Sequence, residues 1–338
     1  MGIPQLPFHQ SFITPLSDST IPFISAAEIK QALAFPLLIE KIKTAFAKGQ
    51  AVTPLRHHHD FKNPSEDKDS TLLLMPSWVP GESLGVKIVT VSPNNAKHHL
   101  PTIQGIYLLF DAATGVCKLL LDAKALTVCR TAATSALASQ YLSRESSNTL
   151  FMVGTGALAP ELIRAHASVR PIRKVLLWGR NQDHILALYR QMEKENFEIT
   201  VSGTIAEGVK AADIIRCATL SETPLIIGAL LHEGQHLDMV GAYRPHMREA
   251  DDDTIRCSSV FVDHYEGALK ETGEIVIPIR EGLLKKEDIK ASLHELCSGL
   301  KAGRSNEKEI TFFKSVGHAM EDLVAANMVF EASHNRKA

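Results

Sequence analysis

The chain has 338 residues, 45% hydrophobic and 22% charged, with a formal net charge of −2. That length exceeds what one hydrophobic core usually serves and predicts two domains, while the near-neutral balance argues against nucleic acid as a partner. No apolar run approaches the roughly 18 residues needed to cross a bilayer, and the opening residues lack a basic stretch followed by an apolar one, so a cytoplasmic protein with no membrane partner is expected.

Residues 1–20 mix Pro, Ser, Thr and His without periodicity and read as an extended arm. Ser25-Ala26-Ala27-Glu28 has the spacing of a capping box. A helical pattern follows through Ile29, Leu33, Leu37, Leu38, Ile39, Ile42 and Phe46, and Pro36 divides it into two helices. Strand signals begin near Val52, with runs over 70–76, 83–91, 106–111 and 117–122. Ala113-Thr114-Gly115 is a hairpin turn between the last two. A meander without intervening helices cannot belong to a parallel βαβ sheet, so a first α+β domain closes near 122–126. His57-His58-His59 lies at its start. Adjacent histidines converge poorly on one ion and no Cys or acidic partner follows at ligand spacing, so no metal is expected. Lys87 interrupts an apolar strand on the same side of the pleat as Val89 and Val91. That places it toward the apolar side, where an enclosed ammonium needs an anion.

From Leu126 to Leu142 the pattern is helical and rich in small residues, with Arg130 and Thr131 at its beginning, where helix N–H groups collect anions. A βαβ series comes next, with strands near 149–153, 174–178, 198–202, 213–218, 237–241 and 259–262. The first strand runs into Val153-Gly154-Thr155-Gly156-Ala157-Leu158-Ala159-Pro160 and then a helix. Strand, glycine turn and helix are what a dinucleotide pyrophosphate requires. Gly154 permits the turn, Gly156 admits the phosphates and the small Ala159 allows the helix to pack closely. The second strand ends in Gly179-Arg180-Asn181 without the carboxylate that would hold a ribose hydroxyl. Arg180 suits a 2′-phosphate instead, so NADPH is expected ahead of NADH, the alternative being a solvated surface arginine. The strand ending at Cys217, Ala218 and Thr219 reads as the one facing the nicotinamide. The five cysteines are odd in number and widely spaced, which fits reduced thiols. The expected fold class is α/β. A Rossmann domain over 127–311 adjoins an α+β substrate-binding and dimerisation domain over 1–126 with 312–338.

Gly85-Val86-Lys87, Arg130-Thr131-Ala132-Ala133, Val153-Gly154-Thr155-Gly156 and Phe313-Lys314-Ser315-Val316-Gly317 occur in that order. Together they resemble the ornithine cyclodeaminase/μ-crystallin family across roughly residues 25 to 330. The resemblance implies a homodimer joined through the first domains. It also implies that Arg56, Lys87 and Arg130 clamp a substrate carboxylate beside the nicotinamide. With Thr131, Gly154, Thr155, Gly156, Ala157, Leu158, Arg180, Asn181, Cys217, Ala218 and Thr219, the residues expected around the dinucleotide are Gly241, Tyr243, Ser315 and His318.

Cyclodeaminases resemble one another in a loop aspartate where this chain has Tyr243, and in a glutamate before the Met-Pro pair where it has Leu72-Leu73-Leu74. Both carboxylates suited to amine chemistry are missing, so ornithine cyclodeamination is disfavoured. Gly241-Ala242-Tyr243-Arg244-Pro245-His246-Met247-Arg248-Glu249 is similar instead to the ketimine-reductase branch, although His246 replaces that branch's usual aspartate. The implied reaction is reduction of a small cyclic imino acid, Δ1-pyrroline-2-carboxylate, to L-proline, with the six-membered analogue giving L-pipecolate also expected. Within that branch the likeness is to the bacterial enzymes of trans-3-hydroxy-L-proline breakdown. An alanine-type dehydrogenase and a redox-silent NADPH-binding crystallin-like protein are the alternatives. The proton donor stays open among Lys87, His57, Tyr243 and His318, and Asp322 reads as a helix or nucleotide-pocket contact.

Overall fold

The computed structural model describes residues 21–64 and 66–335, so the N-terminal arm lies outside the described residues. Among the described residues the chain forms two sheets. The first has six strands: β1 (Phe23–Ile24), β2 (His57–Phe61), β3 (Ser70–Val79), β4 (Ser83–Val91), β5 (Ile103–Asp111) and β6 (Cys117–Asp122). Their order is β1-β6-β5-β4-β3-β2, antiparallel except for the short β1–β6 pair. Strands joined by tight turns can pair in this way without crossovers. The β5–β6 turn closes on Asp111, whose carboxylate accepts from the backbone N–H of Ala113 and Thr114, and Gly115 takes φ +73°.

Two helices precede β2. α1 (Ala26–Ala32) starts in the capping box of Ser25 and Glu28. α2 (Phe35–Lys48) carries Pro36 in its first turn, where no N–H is needed, and ends on Gly49 in the left-handed region. Leu38, Ile39, Ile42 and Phe46 form its buried stripe.

α3 (Ala123–Leu142) is buried along almost its whole length and packs against α1, α2, the C-terminal helix Ala319–Asn335, both sheets and α4 (Ala159–Ala167). A helix enclosed on all sides has room for little beyond Ala, Ser and Thr, which explains its composition. It begins at Ala123, capped by Asp122, so Arg130 stands two turns inside it and not at its N-terminus. Any anion near Arg130 is therefore held by side chains and not by free helix N–H groups.

The second sheet has eight parallel strands: β7 (Thr149–Val153), β8 (Lys174–Trp178), β9 (Glu198–Val201), β10 (Ile214–Cys217), β11 (His236–Met239), β12 (Ser259–Val262), β13 (Ala291–Ser292) and β14 (Thr311–Lys314). Their order is β13-β12-β14-β11-β10-β7-β8-β9. The chain starts at β7, winds outward through β8 and β9, then returns to the other side at β10. That reversal is the switch point at which doubly wound sheets bind ligands. β14, placed by the sequence at the edge of the first domain, is inserted between β11 and β12 of this sheet. The two residues before Gly317 thus leave the eight-stranded sheet directly, and the C-terminal helix then crosses to lie against β3, β4 and β5.

Candidate active site

A cavity of about 540 Å³ opens between the inner face of the six-stranded sheet and the carboxyl ends of β7, β10, β11 and β14. Alternation along β4 decides which side chains reach it: Lys87, Val89 and Val91 are buried and line it, while the residues between them are half-exposed. Register sets Met75, Lys87 and Tyr107 side by side across β3, β4 and β5. Arg56, Lys87 and Arg130 all line the cavity, with Leu73, Met75 and Val89 as its apolar wall.

The partners of these cations come mainly from the C-terminal helix. Lys87 is 3% exposed, and its Nζ donates to Asp322 Oδ2 at 2.8 Å and to Thr127 Oγ1 at 3.3 Å. Arg130 Nε donates to Asp322 Oδ1 at 3.0 Å and its Nη1 to Glu321 Oε2 at 2.7 Å. Arg56 Nη2 lies 2.8 Å from Glu271 Oε2 and also donates to the Val316 carbonyl at 2.8 Å.

Burial opposes the charges on Lys87, Arg130, Glu321 and Asp322, and the neighbours decide the outcome. Burial, then Arg130, bring the Lys87 ammonium down to about 8 against the pull of Asp322. Burial raises Glu321, with Arg130 only partly offsetting it. Asp322 is held below the usual carboxylate range despite its burial, because Arg130 and Lys87 both face it.

Tyr107 is fully buried beside Lys87, and its hydroxyl has no hydrogen-bond partner among the described residues. A Cβ on Gly85 would lie 1.9 Å from that hydroxyl, which explains the glycine inside a strand.

The crevice over β7 fits a dinucleotide. Gly154 has φ +107°, and a Cβ there would lie 2.6 Å from the Ala218 carbonyl. Gly156 has nothing within 4 Å of an added Cβ, so its backbone faces open space. Such a turn, followed by the start of α4, is a cradle for phosphate oxygens.

Thr131, Gly156, Ala157, Leu158, Ala218, Thr219, Gly241, Tyr243 and Ser315 line the same cavity as the three cations. Arg180 and Asn181 stand exposed at the end of β8, where the Asn181 side chain caps the following helix (Gln182–Met192). Thr155 packs on Gly179, whose Cβ would come within 2.9 Å of it.

Two expected residues lie elsewhere. The Cys217 thiol is fully buried in the core, where burial pushes it well above its ordinary range. His318 lines an adjoining cavity of about 460 Å³ on the other side of Arg56, stacked edge-on to His264 at 4.7 Å between ring centroids. The histidine run His57-His58-His59 lies exposed on the edge strand β2. No cluster able to hold a metal occurs among the described residues.

Sequence reasoning reads Asp322 as a helix or nucleotide-pocket contact, whereas the structure makes it the shared partner of Lys87 and Arg130; Glu321, Glu271 and Tyr107 are further groups around the cations that it does not single out. A signal for the buried pairing of Glu321 and Asp322 is nonetheless present: an acidic pair between Met320 and Leu323 in an apolar helix demands buried cations.

Residues 22–337 match the ornithine cyclodeaminase/mu-crystallin family. An uncharacterised protein of Schizosaccharomyces pombe is 43% identical over 326 residues, covering 94% of this chain and 98% of its own. The Δ1-pyrroline-2-carboxylate reductase of Bacillus cereus strain ATCC 10987 is 38% identical over 319 residues, covering 93% of this chain and 97% of its own. The Δ1-pyrroline-2-carboxylate reductase of Thermococcus litoralis, solved with NADH and L-proline, is 33% identical with a TM-score of 0.88, covering 94% of this chain and 99% of that one. By sequence along nearly its whole length, and by fold, the chain belongs to the ornithine cyclodeaminase/μ-crystallin family.

Proposed function

We propose that the chain is an NAD(P)H-dependent oxidoreductase acting on C=N bonds, which reduces Δ1-pyrroline-2-carboxylate to L-proline. The observation that carries this reading is the convergence of Arg56, Lys87 and Arg130 in an apolar-walled cavity that also contains the glycine turn. The reductases of Bacillus cereus and Thermococcus litoralis support it by their likeness to this chain. Gly154 to Leu158 would hold the pyrophosphate, and Thr219 and Gly241 would border the nicotinamide, which when bound supplies a hydride.

The chain's own residues do the rest by binding and orientation. Arg56, Lys87 and Arg130 hold the carboxylate, and Leu73, Met75 and Val89 enclose the ring. Each cation already faces a carboxylate: Asp322 for Lys87, Asp322 and Glu321 for Arg130, Glu271 for Arg56. A ligand of net negative charge would have to be desolvated without a free counter-charge. The protonated imine with its carboxylate is net neutral and also the better hydride acceptor. The cavity therefore suits the iminium zwitterion, which carries its own proton and asks for no protein donor.

One methylene in an apolar pocket is worth only about 1–3 kcal/mol, so the six-membered ketimine is a second substrate. Arg180, with no carboxylate beside it at the end of β8, favours NADPH, with NADH accepted. The half-exposed outer face of the six-stranded sheet supports a homodimer.

The test is nicotinamide oxidation followed with Δ1-pyrroline-2-carboxylate, beside pyruvate with ammonia and beside ornithine with NAD. Turnover of the cyclic imine alone is the expected result. Turnover only with pyruvate and ammonia would make the chain an amino-acid dehydrogenase. Tight nucleotide binding with silence on all three would leave a binding protein.

A further inference from the structure

Glu249 lies directly behind the cavity wall and touches neither the cations nor their partners. It is fully buried. Its Oε1 accepts from Thr219 N at 2.6 Å and Thr219 Oγ1 at 2.8 Å, and its Oε2 from Gly241 N at 2.8 Å and Ala242 N at 3.3 Å. These four groups are donors, as is the buried Cys217 thiol that also reaches Glu249, the surroundings a carboxylate anion uses. Glu249 is itself anchored: its backbone N–H donates to Glu274, which is fully buried and 3.1 Å from Lys314 Nζ.

The location gives these bonds a consequence. Thr219 follows β10 and Gly241 follows β11, and both line the cavity. A Cβ on Gly241 would lie 1.9 Å from the Thr219 carbonyl oxygen and 2.5 Å from Glu249 Oε1. One carboxylate thus ties the two strand ends together and fills the space beneath them. A dinucleotide held by its phosphates at the β7 turn, with its adenosine end toward β8, would bring its other end to this wall.

We propose that Glu249 is a positioning residue that sets the wall meeting the nicotinamide and favours its oxidised, cationic form over the reduced, neutral one. This rests on the reading that a nicotinamide dinucleotide occupies the crevice. A buried charge separated from the ring only by backbone is weakly screened by water. It acts on the difference between the two redox forms, because everything else in the dinucleotide is common to both.

Glu249→Gln keeps the volume, removes the charge and turns an amide N–H onto one pair of donors. Equilibrium binding of NADPH and NADP⁺ to this variant, one by its own fluorescence and the other by competition, measures the ratio directly. NADP⁺ is expected to weaken about fivefold more than NADPH. Equal losses, or none, would overturn the proposal, since a purely structural lesion moves both forms together. Thr219→Val removes one donor and leaves the charge. It is expected to move the ratio the other way, and it decides the matter if Glu249→Gln does not fold. Failure of the wild-type chain to bind either nucleotide would overturn the dinucleotide reading itself, and this proposal with it.

Discussion

Lys87 is the cation whose charge falls within the working range. Burial lowers its ammonium to about 8, whereas Arg130 stays charged throughout because Asp322 and Glu321 outweigh its burial. A carboxylate clamp needs the charged lysine, so kcat/KM for the ketimine should begin to fall no higher than about pH 8. A rate–pH profile flat to pH 9.5 would remove Lys87 from the clamp. Stability runs the other way. The folded value lies below the ordinary 10.5, so the unfolded chain holds the extra proton between about 8 and 10.5, and this group's contribution to stability rises with pH across that window.

Truncation at this residue is a second probe. Lys87→Ala removes one of the three cations proposed to hold the substrate carboxylate, and a hydrogen bond to a charged group is worth about 1.5–3 kcal/mol, or roughly tenfold or more in KM for the imine. NADPH affinity should stay within about twofold, because no nucleotide contact is removed; calorimetric titration showing lost nucleotide binding would place Lys87 in the wrong subsite. Arg180→Ala makes the complementary test. It should weaken NADPH far more than NADH, and equal losses would exclude a contact with the 2′-phosphate.

At the scale of elements, the C-terminal helix supplies what the sheet lacks. Lys87 can be placed on the buried side of β4 from the pleat alone, and the glycine turn after β7 from its order of strand, turn and helix. Their electrostatic partners cannot be placed that way, because Asp322 lies 235 residues from Lys87 in sequence and only the fold brings them to 2.8 Å. The same reasoning explains β14. A four-residue strand that re-enters a sheet between two earlier strands has no local signature of its destination. Periodicity starts α3 too late because Asp122 both ends β6 and caps the helix, and neither role outweighs the other in sequence.

Just ahead of the C-terminal helix, His318 makes an element-level prediction. Burial first, then the charge of His264, bring its imidazole down to about 3, and its Nδ1 has no hydrogen-bond partner among the described residues. The unfolded chain takes up this proton near 6.5 and the folded chain does not, so stability is lost as pH falls from 6.5 toward 3. His318→Phe would keep the ring contacts with His264 and Phe46 and abolish the titration. Between pH 7 and pH 5 the variant should lose about 2 kcal/mol less than the wild type in urea unfolding. Parallel losses in the two proteins would show that His318 is as easily protonated folded as unfolded.

At the scale of the molecule, the two faces of the six-stranded sheet are used differently. The inner face holds the cavity and packs on the helices. The outer face carries cross-strand rows of apolar side chains: Leu74, Ile88 and Ile106 in one, and Val86, Leu108 and Leu120 in the next. Most are only half-buried, and Ile106 is 40% exposed. A contiguous apolar surface of this kind marks an interface more often than a bare monomer surface, and a two-fold pairing of the same face on two copies would cover it. Ile88→Glu with Ile106→Glu sets two like charges opposite each other in that surface while leaving the inner face intact. Sedimentation should then show a dimer for the wild type and a folded monomer for this variant, with NADPH affinity little changed because the crevice over β7 lies in the other sheet. A variant that still sediments as a dimer would assign the interface to a different surface.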